Sequence, residues 1–137
     1  MGTFTEKIEL ANARDRGNAR DGIIPETKIR RIRAEAMPDT GAWTLIINED
    51  VRQQLGLAVL ETVQSSLADG SEAYYGLTEP VEIRWKDRRI SLQAVVLPEA
   101  KDILLGALPL EGMDLMVDPV HQRLTGVHGD QRIHLVK

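Results

Sequence analysis

The chain of 137 residues has 17 Lys+Arg against 21 Asp+Glu, a formal charge of −4, and 42% hydrophobic residues, the profile of one soluble globular domain. It has no cysteine, which excludes a disulfide scaffold, a thiolate nucleophile and any Cys-based zinc or iron–sulfur site. With one Phe, two Trp, two Tyr and an acidic balance, it lacks the stacking platforms and positive charge of nucleic-acid binders, and no nucleic-acid partner is expected.

Met1 to Ile8 show neither a basic segment leading into an apolar one nor the Arg- and Ser-rich character of a transit peptide. No window approaches the ~20 apolar residues of a membrane-spanning helix. The expectation is a cytoplasmic protein with no membrane partner, its residues 1–137 forming a single domain with a core at about 28–124. Phe4, Ile8 and Leu10 mark a short strand that gives way at Ala11 to a polar loop reaching about Pro25. Lys28 to Met37 alternates as a half-exposed strand; its Lys28, Arg30, Arg31 and Arg33 read as a solvated face, because Glu26 and Glu35 flank them. Trp43 to Ile47 is a short apolar run rich in β-formers, a buried strand. Asn48 then caps a two-turn helix with Glu49 and Asp50 in its first turn, Val51 and Leu55 on one face, and Gly56 as its stop.

Beyond it, Leu57 to Ser66 and Glu72 to Thr78 form the arms of a long hairpin around Ala68-Asp69-Gly70-Ser71. Val81, Ile83 and Trp85 meet Ile90, Leu92, Ala94 and Val96 across a turn at Lys86 to Arg89. Ile103 to Leu105 is a buried strand ending at Gly106, Leu108 to Met113 holds a helical turn, and strands are expected at Leu115 to Val117 and at Gln131 to Val136. Turns at this spacing indicate an all-β chain whose sheet closes into a barrel, with one or two short helices.

One tetrapeptide bears on chemistry. Asp39-Thr40-Gly41-Ala42 lies between two β-like runs; alone it is also an ordinary turn sequence. Its order with the elements that follow (apolar strand, short helix, two hairpins, then Leu104-Leu105-Gly106) resembles the retropepsin-like aspartic proteases, and more narrowly their small bacterial single-domain type. The resemblance runs from about Lys28 to Leu124. It includes Ala68-Asp69-Gly70 where a flap tip would fall, and the stretch Leu110 to Pro119 with Arg123-Leu124 as a closing segment.

The resemblance implies a closed β-barrel protease domain that acts as a homodimer on peptide or protein substrates, without metal or organic cofactor. Asp39 would be catalytic, Thr40 would bond across the dyad, and Gly41 would let the chain turn tightly beside the opposite carboxylate. Ala42, Trp43, Ala68, Asp69, Gly70, Leu105 and Gly106 would bind substrate. Two carboxylates about 3 Å apart cannot both ionise, a general property of aspartic protease dyads, so one serves as base and the other as acid. Asp69-Gly70, Asp87-Arg88 and Gly129-Asp130 lack the Thr or Ser of the motif, so the second aspartate must come from another copy.

Three departures bear on that reading. Pro38 stands where the family has an apolar strand residue, Trp43 where a small or polar residue is usual, and Ala107 where the viral enzymes have a dimer-bracing Arg. Trp43 fits either a substrate pocket or the dimer. The alternative function is an inactive protease-like dimeric module that binds extended peptides or mediates assembly. His121, His128 and His134 are too scattered for a metal motif, and Ser65, Ser66 and Ser71 lack a nucleophile elbow.

Overall fold

The N-terminal strand stops at a buried asparagine. In the computed structural model, which describes residues 3–66 and 71–128, β1 runs Glu6–Asn12 and passes directly into α1, Ala13–Arg20. Asn12, fully buried, caps that helix by accepting the Asp15 N–H at 3.0 Å, and its side-chain amide donates to the Leu55 carbonyl at 2.9 Å. Helix α1 thus replaces the polar loop expected from Ala11 to Pro25. Its sequence, ARDRGNAR, has no apolar stripe, and its order comes from outside. Asp15, only 5% exposed, accepts Nε and Nη2 of Arg30 at 2.8 and 2.9 Å and the Arg30 N–H at 3.0 Å. Arg14 forms a fork on Glu79, whose carboxylate also accepts the Ala58 N–H.

The strands β2 (Arg31–Pro38) and β3 (Leu45–Ile47) follow, then α2 (Glu49–Leu55) with the expected ends. The Asn48 side chain accepts the Val51 N–H at 2.9 Å, and Gly56 closes the helix at φ 61°, a left-handed conformation that favours glycine. β4 (Val59–Ser66) and β5 (Glu72–Thr78) are the long hairpin arms, and residues 67–70, which contain the expected tip Ala68-Asp69-Gly70, lie outside the described residues. β6 (Val81–Trp85) and β7 (Arg88–Leu92) pair through a turn at Lys86-Asp87, tighter than expected, with Lys86 at φ 52°.

Ala94 and Val96 do not extend β7. They belong to a separate strand, β8 (Ala94–Val96), followed by β9 (Ile103–Leu105), α3 (Ala107–Gly112) and a small hairpin of β10 (Leu115–Asp118) and β11 (Arg123–Gly126). The expected strand at 131–136 lies outside the described residues.

Nine strands form one mixed sheet in the order β4-β5-β8-β3-β9-β2-β1-β6-β7. Among the described residues the fold is therefore mostly β, with three short α-helices rather than one or two, and the expected barrel closure is absent. β4 and β7 end the sheet on opposite sides and do not pair. The chain leaves β7 at Gln93, whose carbonyl accepts the Thr44 hydroxyl at 3.0 Å, while the Ala94 N–H donates to the Thr78 hydroxyl at 3.1 Å. Those two threonines hand the chain to β8, between β5 and β3, so the β6–β7 hairpin is carried to the far edge. Leu10, Leu45, Ile47, Leu55, Ile83 and Leu105 make the centre of the core beneath the sheet.

The ion pair beside Arg30 sets an acid limit on this arrangement. Bonding to Arg30 holds the Asp15 carboxyl below its ordinary value of 3.8. A depressed folded pKa gives stability that is complete above the ordinary value and is lost as pH falls through the folded one. Asp15→Asn should cost about 1–2 kcal/mol near neutral pH in urea unfolding, with the gap to wild type closing below about pH 4. A gap independent of pH would mean that the ion pair is not what Asp15 contributes.

Candidate active site

Strand β9 is inserted between β2 and β3, parallel to the first and antiparallel to the second, so that Leu105 faces both Pro38 and Leu45. The connection from Asp39 to Thr44 must therefore arch round the end of β9, at Gly106. Pro38 is the last residue of β2, where its missing donor interrupts little. The next residue resumes the ladder, the Asp39 N–H donating to the Leu105 carbonyl at 3.0 Å.

The loop then folds around its own carboxylate. The Asp39 carbonyl accepts the Ala42 N–H at 3.1 Å, and its Oδ1 accepts the Gly41 N–H at 2.9 Å. Its Oδ2 has no partner among the described residues. Asp39 is half-buried, while Thr40 and Gly41 are exposed. Gly41 has no positive φ; what it provides is space, since a Cβ there would stand 3.1 Å from Asp39 Oδ1.

The far side of the loop is bolted to α3. Thr44, Ala42 and Trp43 offer their carbonyls to the N–H groups of Gly106, Ala107 and Leu108 at 3.2, 2.8 and 2.9 Å. The opening N–H groups of a helix have no partner of their own, and here the loop supplies them.

These contacts sort the residues expected to bind substrate. Leu105 is 0% exposed and packs in the core, and Gly106 is buried too. Both act on the loop through their backbone. Ala42 is half-buried, and Trp43 is 53% exposed. Ala68, Asp69 and Gly70 lie outside the described residues.

Two further residues belong to the site. Thr44, buried, ties the loop to Gln93, and Leu108, 48% exposed, stands beside Trp43 through the backbone bond just described. Thr44 is hidden in the apolar run Trp43 to Ile47, and Leu108 follows Leu104-Leu105-Gly106-Ala107, whose place in the order of elements after Asp39 is the one available signal. Of the histidines, His121 is bonded to Asp118 and His128 to Asp114, each at 2.8 Å and away from this loop, and His134 lies outside the described residues. Among the described residues no three His, Asp or Glu side chains converge as a metal ion requires, and no helix is long and apolar enough to cross a membrane.

Gly106 is the tightest point. A Cβ there would lie 2.4 and 2.6 Å from the carbonyl oxygens of Thr44 and Ala42. Backbone cannot swing aside as a side-chain end can, so Gly106→Ala must push the loop off β9. It should lower stability by about 2–3 kcal/mol in chemical denaturation. A loss under about 0.5 kcal/mol would show that the loop yields freely there.

A family model described as "Aspartyl protease" matches residues 26–107. The chain is similar to a retropepsin-like aspartic protease from Rickettsia conorii of known crystal structure, at 20% identity and a TM-score of 0.46, over 85% of this chain and 88% of that one. No curated protein matches it. The family match spans more than half of the chain, from before β2 through β9, and takes in both Asp39-Thr40-Gly41-Ala42 and Leu104-Leu105-Gly106. The chain belongs to the aspartyl protease family.

Proposed function

We propose that the protein is an aspartic endopeptidase that works as a homodimer, each copy giving Asp39 to one site on the twofold axis. The observation that supports this best is the setting of Asp39, half-buried on a loop whose backbone is fixed on both sides, with Oδ1 held by Gly41 and Oδ2 without a partner among the described residues. The sequence offers no second Asp-Thr/Ser-Gly, and symmetry is the simplest source of another carboxylate. Trp43 and Leu108 add exposed apolar surface beside it, which a second copy or a bound peptide would cover. The family resemblance assigns closure over the peptide to Ala68, Asp69 and Gly70.

In such a site a water lies between the two carboxyl groups, which share one proton. The ionised one takes a proton from water as the oxygen attacks the peptide carbonyl carbon, and the protonated one donates to the carbonyl oxygen. The resulting gem-diol collapses with cleavage of the C–N bond. The leaving nitrogen takes the proton gained from water, and one hydroxyl returns its proton to the other carboxylate, which restores the starting pair. No metal or organic cofactor enters this cycle. Thr40, exposed and without a hydrogen-bond partner among the described residues, is free to bond across the axis.

Peptide mixtures incubated at about pH 4 to 7, read by mass spectrometry, should give cleavage products with wild type and background only with Asp39→Asn. Adding an excess of Asp39→Asn chains to wild type should then suppress turnover, because mixed dimers hold one carboxylate. Products from Asp39→Asn alone would overturn the catalytic assignment. Undiminished turnover in the mixture would overturn the shared site.

A further inference from the structure

One concavity lies away from the Asp39 loop. It is a groove of about 680 Å³ on the outer face of the β2-β1-β6 portion of the sheet, lined by Lys7, Glu9, Arg33, Glu35, Arg84 and Lys86 along with the backbone flanks of Ile8 and Ala34. The pairing register explains its make-up. Lys7 lies opposite Glu35, and Glu9 lies opposite both Arg33 and Arg84, while the alternate residues of β1, Ile8 and Leu10, point into the core. Across the outermost pair Arg84 faces Arg89, which extends the row of cations onto β7.

The charge of this face runs against that of the molecule. The groove has four cations to two carboxylates, on a chain of net charge −4. One of those carboxylates, Glu9, is already met by Arg16 at 3.4 Å, and Arg84 is held by Glu82 at 2.9 Å. Lys86 lies over the Trp85 ring at 4.5 Å. Lys7 and Arg33, both exposed, have no ion-pair partner among the described residues. The pairs across β1 offset some of this charge, Lys7 opposite Glu35 and Glu9 between Arg33 and Arg84, but Arg84 faces Arg89, a like pair that a folded chain gains nothing from.

We infer that this groove is a docking surface for an acidic, extended segment of a partner protein. Alternate side chains of an extended peptide recur about every 6.6–6.8 Å, the same period that separates Arg31 from Arg33 or Lys7 from Glu9 on this face. Every second residue of the peptide can therefore meet one row of the sheet. A peptide can also place a neutral or basic residue over Glu9 and Glu35, where a nucleic-acid backbone presents unbroken negative charge. The face offers no aromatic platform for bases either, Trp85 being 5% exposed with its Nε1 donated to Glu6. The surface is separate from the Asp39 loop, so its test is independent of catalysis.

A fluorescein-labelled decapeptide of alternating Glu and Thr should bind the full chain at about 50 mM salt and lose at least tenfold in affinity by about 300 mM. Lys7→Gln with Arg33→Gln replaces two exposed, unpaired side chains and should weaken binding at least tenfold while leaving thermal unfolding and any peptide cleavage unchanged. The matching Lys/Thr peptide should not bind. No binding of the Glu/Thr peptide at low salt, equal binding by the double variant, or tighter binding of a ten-nucleotide oligothymidylate than of the peptide would overturn the inference.

Discussion

The backbone of Gly106 lies closer to the carbonyls of Ala42 and Thr44 than any side chain would permit, and the geometry around Asp39 follows from that approach. Because β9 is inserted between β2 and β3, one strand end fixes both shoulders of the Asp39 loop. The first N–H groups of α3 then draw in the carbonyls of Ala42 and Trp43. The carboxylate is thus positioned by main-chain hydrogen bonds, which do not change rotamer, and a loop so held keeps its geometry without a ligand.

The scaffold beneath is held from its N-terminal side by polar groups rather than by more apolar area. Asn12 joins the start of α1 to the end of α2. Asp15 joins α1 to the chain entering β2, and Glu79 joins α1 to the chain at Ala58. Each of these carboxylates or amides is buried and multiply bonded, the condition under which burial of a polar group is tolerated. Removal of one partner would strand the others, so these links act as a set.

The sequence made some of this legible and hid the rest for identifiable reasons. Asn48, Glu49 and Gly56 announce α2 because capping is local, and Val81, Ile83 and Trp85 announce β6 because alternation is local. Asp39-Thr40-Gly41 and Leu104-Leu105-Gly106 could be read as partners only through resemblance, since no spacing rule puts β9 between β2 and β3. Helix α1 was hidden because Asp15 finds Arg30 and Arg14 finds Glu79 only after folding. Closure of the sheet was misjudged because turn spacing counts strands without ordering them, and the strand change at Gln93 rests on Thr44 and Thr78, distant in sequence. The cationic groove was hidden for the same reason: the run from Lys28 to Arg33 reads as a solvated face until Lys7 and Arg84 are set beside it.

The position of β1 has a consequence for how the chain is made. β1 sits between β2, which follows it closely, and β6, whose Trp85 bonds to Glu6 across 79 residues. During synthesis β1 and β2 emerge before β6, with one edge of β1 bare until the β6 segment has left the ribosome. An open strand edge is a template for pairing with other chains. The charged residues of its outer face, Lys7 and Glu9 with Glu35 and Arg33 opposite, are of the kind that keeps a waiting strand pair soluble and discourages premature partners until β6 arrives.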